Sequence, residues 1–222
     1  MSSLTKLDGP RVEPASGERA KQLIVFAHGY GSNGEDLIGL APYWQGLLPD
    51  AAFVSPNAPQ ICPGAPGGYQ WWDIATARGD RLAGVRTAAP VLDAFIDSQL
   101  AHYGLADDKL VLIGFSQGTM MALHVAPRRP RAMAGVIGYS GRLIDPAALA
   151  SEAVSKPPVL LVHGQDDPMV PVSSIYEARD ALMAAGFEAG GYISPGLGHS
   201  IDQPGLQLGG DFLAKVLLGL EA

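Results

Sequence analysis

Residues 110–126 restrict what this chain can fold into more than any other stretch. Positions 110–113, Leu-Val-Leu-Ile, form a short, partly β-branched apolar run that ends at a glycine, the pattern of a parallel strand buried on both faces. Gly114-Phe115-Ser116-Gln117-Gly118 follows, and residues 119–126 then run without glycine or proline up to Pro127, as a helix does. A strand that turns into a helix through Gly-x-Ser-x-Gly is the context of a nucleophile elbow. The two glycines let backbone segments pass where side chains would collide. Ser116 is left exposed at the tip, above the positive end of the helix dipole. In a chain with 28 glycines the bare pattern says little. Its position between a buried strand and a helix is what carries information.

The rest of the chain repeats that alternation. Apolar runs at 23–27, 51–54, 134–139, 158–162 and 189–194 read as strands. Helical spacing appears after Glu35 with an interruption at Pro42, over 81–103 with a kink or fresh start at Pro90, over 173–185 and near 211–218. Strands alternating with helices predict the α/β class, with one mostly parallel central sheet covered on both faces. A length of 222 residues suits a single domain over 1–222, residues 1–20 forming a polar N-terminal arm with a short edge strand near Arg11-Val12-Glu13.

Charge and cysteine content exclude several function classes. The net charge is −7, and the one basic cluster, Arg128-Arg129-Pro130-Arg131, reads as the solvated end of a helix, so nucleic acid is not an expected partner. Cys62 is the sole cysteine, which rules out an intrachain disulfide and a multi-cysteine metal site. Residues 1–10 hold no apolar stretch for export and no run of 18 apolar residues occurs, so a cytoplasmic protein without integral membrane association is expected.

Two motifs lie upstream of the elbow. Gly29-x-Gly31-x-x-Gly34, between a strand and a helix, matches the dinucleotide fingerprint literally. That fingerprint needs an acid at the far end of the second strand, whereas Asp50 stands at the start of 51–54 and Ser55-Pro56-Asn57 at its end. His28-Gly29-Tyr30-Gly31 reads better as an oxyanion loop. The backbone N–H of Tyr30 and that of Gln117, directly after the nucleophile, would then stabilise the anionic oxygen of an acyl-transfer intermediate, and His28 would pin the loop. Residues 56–68 read as a long irregular loop rich in proline and glycine. It leads to Trp71 and Trp72, which are expected either to anchor a packed loop or, if the loop borders the elbow, to wall an apolar acyl pocket.

Downstream, Asp166-Asp167-Pro168 follows strand 158–162 and His199 follows strand 189–194, so Ser116, Asp167 and His199 each come just after a predicted strand, in the triad order of an α/β-hydrolase. His199 would take the Ser116 proton, and the carboxylate would orient the imidazole. Asp167 is preferred because Pro168 holds its backbone extended, with Asp166 as the alternative. His102, His124 and His163 read as structural.

The segments His28-Gly-Tyr-Gly, Ser55-Pro-Asn-Ala-Pro, Trp71-Trp-Asp-Ile, Gly114-Phe-Ser-Gln-Gly, Asp167-Pro-Met-Val-Pro and Gly198-His-Ser resemble the phospholipase/carboxylesterase family of α/β-hydrolases, which includes acyl-protein thioesterases. The resemblance implies Ser116, Asp167 and His199 as the triad and Tyr30 and Gln117 as oxyanion donors. It also implies a compact, largely lidless enzyme that often dimerises. No metal or cofactor is expected for the chemistry. Thr119-Met120 stand where relatives often have smaller residues, which bears on acyl-chain preference. The expected activity is a serine carboxylesterase acting on small acyl esters of short to medium chain length. A thioesterase or lysophospholipase is the alternative with the same residues, and a non-catalytic hydrolase-fold binding protein is the alternative from another class.

Overall fold

The computed structural model describes residues 4–74 and 80–220. Its strands are β1 (Arg11–Val12), β2 (Gln22–Ala27), β3 (Ala51–Val54), β4 (Gln60–Ile61), β5 (Tyr69–Gln70), β6 (Leu110–Phe115), β7 (Gly135–Tyr139), β8 (Val159–Gly164) and β9 (Ala189–Ser194). Its α-helices are α1 (Gly34–Ile38), α2 (Ala41–Gln45), α3 (Arg81–Tyr103), α4 (Gln117–Val125), α5 (Pro146–Glu152), α6 (Ser173–Ala184) and α7 (Gln203–Leu218). Seven strands form one sheet in the order β1-β3-β2-β6-β7-β8-β9, parallel throughout except for the antiparallel β1–β3 pair at one edge.

The continuous apolar runs have a direct explanation in the layers. Leu23, Val25, Ala27, Leu110 and Leu112 point into one core with residues of α3, α4 and α6. Their sequence neighbours Ile24, Phe26, Val111 and Ile113 point into a second core with Leu37, Trp44, Leu206 and Leu213 from α1, α2 and α7. Successive side chains alternate across a sheet, so a strand covered on both faces must be apolar at every position. Each fully buried Val, Leu, Ile or Phe contributes about 1.5–3 kcal/mol. Among the described residues no helix is long and apolar enough to cross a membrane.

Several elements depart from the sequence reading. α3 runs through Pro90 as one helix, without a fresh start there, because Val85, Ala88, Val91, Leu92, Phe95 and Ile96 are buried on both sides of the proline and their packing outweighs the lost backbone bond, worth about 3 kcal/mol. α7 starts at Gln203, well before the expected position near 211: Asp202 caps it by accepting from Gly205 N at 2.9 Å. Glycines within α7 weaken its signal in sequence yet are required by packing, since a Cβ on Gly209 would lie 2.4 Å from the Tyr139 hydroxyl. The loop 56–68 contains half of a small hairpin, β4–β5, and α5 was not anticipated. Arg129 is not at a solvated helix end. It is 3% exposed and bonded to Asp93, Asp97 and Asp107.

Candidate active site

The site is built on the carboxyl ends of β2, β6, β8 and β9, where an open α/β sheet leaves a crevice. At the end of β6 the chain turns sharply through Ser116, whose φ of 53° and ψ of −113° lie in a region that L-residues rarely adopt. Strain of this kind costs of order 1–3 kcal/mol and needs rigid surroundings. They are present: Ser116 N donates to Tyr139 O at 2.9 Å, and Met120 N donates to Ser116 O at 3.2 Å. The elbow glycines are demanded by close approach. A Cβ on Gly114 would sit 2.4 Å from Thr119 N, and one on Gly118 only 1.8 Å from Ala27 O. The first turn of α4 therefore rests on the carbonyl end of β2, which leads directly into the loop carrying Tyr30.

That loop is pinned by His28. Its Nδ1–H donates to Gly29 O at 2.7 Å and its Nε2 accepts from Ala58 N at 2.9 Å, which defines a neutral imidazole. Burial pushes its pKa down, consistent with that state. A second brace was not foreseen from the sequence. The Gln117 side chain accepts from Trp71 N and donates to Trp72 O, both at 2.9 Å, while Trp71 Nε1 donates to His28 O at 2.9 Å. Gln117, Trp71 and His28 thus tie the elbow, the aromatic segment and the loop carrying Tyr30 into one buried network. Gly31 N also donates to Tyr69 O, joining that loop to β5.

The tryptophans consequently do not wall an acyl pocket. Trp71 is 1% exposed and Trp72 is packed on α3 at Gly84, where a Cβ would come within 2.4 Å of the indole. The open cleft of about 350 Å³ beside Ser116 is lined instead by Gly29, Tyr30, Ser32, Asp36, Leu37, Phe115, His199, Ser200 and Ile201.

On the opposite wall, Asp167 is held at the end of β8. Its Oδ1 accepts from Met169 N at 2.8 Å and Val170 N at 2.9 Å, and its Oδ2 accepts from His199 Nδ1 at 2.7 Å. Burial alone would raise its pKa, but bonds from Val170 N, His199 and Met169 N outweigh burial and hold the carboxyl below its ordinary range. Asp166 is exposed and makes no such bond to His199. His163, 2% exposed, donates through Nε2 to Val170 O at 2.9 Å and lies 3.4 Å from Asp167 Oδ2, so it steadies both the turn and the carboxylate. The loop carrying His199 is fixed at both ends. Asp166 N donates to Leu197 O at 2.8 Å, and Ser194 Oγ donates to Asp202 Oδ1 at 3.0 Å. The His199 ring packs on Phe115 at 4.9 Å between centroids, which brings it to the cleft that Ser116 also lines. Among the described residues no group of three or more His, Cys, Asp or Glu side chains converges as a metal-binding set.

A strained serine at a strand–helix elbow, set on a mostly parallel sheet beside an Asp–His pair, defines the class as an α/β-hydrolase. The phospholipase/carboxylesterase family profile matches residues 8–217, and the chain belongs to that family. It is 31% identical over 195 residues to esterase YpfH of Escherichia coli, covering 87% of this chain and 82% of that protein. It is also 31% identical over 176 residues to acyl-protein thioesterase 1 of Schizosaccharomyces pombe, covering 75% of this chain and 76% of that one. Among solved structures, esterase PE8 superposes with a TM-score of 0.90 at 45% identity, covering 96% of this chain and all of that one. SOBER1 of Arabidopsis thaliana does so with a TM-score of 0.78 at 25% identity, covering 88% and 99%. The protein is a serine ester hydrolase.

Proposed function

We propose that this protein is a carboxylesterase that hydrolyses short to medium acyl esters through an acyl-enzyme on Ser116. His199 takes the Ser116 proton as the hydroxyl oxygen attacks the ester carbonyl, and gives it to the departing alcohol. A water molecule then attacks the acyl-enzyme with His199 again as base, which releases the carboxylic acid and restores Ser116. Asp167 holds the imidazole with Nδ1 protonated and stabilises the imidazolium. The N–H groups of Tyr30 and Gln117 receive the oxyanion; among the described residues neither donates to a backbone acceptor. The observation that carries this reading is the 2.7 Å bond from His199 Nδ1 to the buried Asp167, made by a ring that lines the same cleft as Ser116. A cleft of about 350 Å³ lies at the small end of ligand pockets, which favours small esters.

Acyl thioesters are the second reading, supported by the thioesterase relatives, because the same residues serve both leaving groups. Labelling with a fluorophosphonate probe, followed by peptide mapping, tests the nucleophile: stoichiometric modification at Ser116 is expected, and its loss in Ser116→Ala. Absence of labelling in folded protein would leave a hydrolase-fold binding protein as the better account. Comparing kcat/KM on p-nitrophenyl butyrate, a palmitoyl thioester and lysophosphatidylcholine then decides the acyl class. A strong preference for either long-chain substrate would overturn the short-ester assignment.

A further inference from the structure

The leaving alcohol of an ester must lie against the group that protonates it, which on the reading above is His199. The cleft that His199 lines is also lined by Ser32, Asp36, Leu37, Tyr30, Phe115, Ser200 and Ile201. Among the described residues, Asp36 is the one carboxylate in that lining, and no lysine or arginine lines the cleft. Asp36 is held in the first turn of α1: its backbone N donates to Asn33 Oδ1 at 3.2 Å, and its Oδ2 accepts from Ser32 Oγ. Glu35, which precedes Asp36 and is exposed, carries the same sign. The chain as a whole carries a net charge of −7. A carboxylate that shares one cleft with Tyr30, Phe115, Leu37 and Ile201 is the chemistry that receives an alkylated ammonium group, by charge attraction, cation–π contact and burial of its methyl groups.

We propose that Asp36 selects esters whose alcohol portion carries a fixed positive charge, such as quaternary ammonium alcohols, over neutral esters of the same shape and over anionic ones. This proposal rests on the esterase reading. The reaction is the same hydrolysis: the acyl C–O bond breaks, the water oxygen joins the acyl carbon, and the cationic alcohol leaves with the proton delivered by His199. Esters and thioesters of polyphosphate-bearing alcohols or thiols are disfavoured by the same carboxylate.

The test compares butyrylcholine with 3,3-dimethylbutyl butyrate, in which carbon replaces the charged nitrogen, each rate being normalised to that ester's hydrolysis by hydroxide. At low salt the wild-type kcat/KM should favour the choline ester by roughly two- to fivefold, the scale of an exposed charge pair. The preference should shrink towards one in ~0.5 M NaCl. It should also fall towards one in Asp36→Asn, which keeps an oxygen acceptor for Ser32. Equal rates in wild type, or a preference untouched by both salt and the substitution, would overturn the proposal. The salt series needs no variant, so a misfolded Asp36→Asn does not protect it. Hydrolysis of p-nitrophenyl butyrate by wild type separates the two levels: if it occurs without charge preference, only the role of Asp36 fails, and if it is absent, the esterase reading fails with it.

Discussion

Asp166 and Asp167 are adjacent and chemically identical, yet the backbone sends them to opposite environments. Asp166 is exposed, with its N–H on Leu197 O, whereas the Asp167 carboxylate turns inward to meet two amides of its own turn and the His199 ring. Asp167→Asn should therefore lower kcat by about 10³–10⁴, because an amide cannot hold His199 in the required tautomer, while Asp166→Asn should stay close to wild type. Steady-state kinetics on p-nitrophenyl butyrate decide this, and the reverse ranking would exchange the two residues. At this scale the residue types expected for the site were legible, since each follows a strand at the edge where α/β sheets place their chemistry. The direction of Trp71 and Trp72 was not. An aromatic pair reads alike whether it lines a cleft or closes a core, and here its polar partner, Gln117, is 46 residues from Trp71.

The elbow is an element whose geometry depends on a neighbour. Gly118 permits α4 to rest on Ala27 O, and that contact sets how far the Gln117 N–H stands from the Tyr30 loop. Gly118→Ala would force α4 off the end of β2. The expected result is a loss of about 1–3 kcal/mol in stability, the usual effect of overpacking, together with a fall in kcat of order 10²–10³ as the Gln117 N–H, an oxyanion donor in the proposed mechanism, moves out of place. Gly46→Ala is the control, because a Cβ there meets nothing within 4 Å. Thermal melts and kcat measured on both variants check the claim, and an active, stable Gly118→Ala would sink it. Strands were easier to place than helices because burial on both faces leaves an unbroken apolar run. The start of α7 was missed since its glycines, chosen for contact with Tyr139 and Trp44, argue against a helix when read locally.

For the molecule as a whole, the Arg129 cluster acts as a tie between α3, the start of β6 and the end of α4. Arg129 bonds Asp93, Asp97 and Asp107, and Arg131 also reaches Asp107. Burial alone would raise the Asp107 pKa, but the bonds from Arg129 and Arg131 hold it below the ordinary carboxylate value. A carboxyl whose folded pKa lies below its unfolded value of about 3.9 stabilises the fold fully above that value and ceases to do so as pH falls through the folded one. Asp167 has the same sign. Stability from urea unfolding should then be level near neutrality and drop below about pH 4. Asp107→Asn should cost about 1–3 kcal/mol at pH 7, and its gap to wild type should narrow in acid; a gap that stays constant down to pH 3 would refute the linkage. The alternation of core strands with most of the helices, the elbow and the positions of candidate acid, base and nucleophile could be read from the chain alone, because apolar period, glycine and proline act over a few residues. Which side chains meet could not. Asp167 and His199 are 32 residues apart, and Arg129 finds its aspartates 22 to 36 residues away. Those encounters depend on how the sheet stacks its helices and on contacts as close as Gly118 against Ala27, for which no local pattern exists.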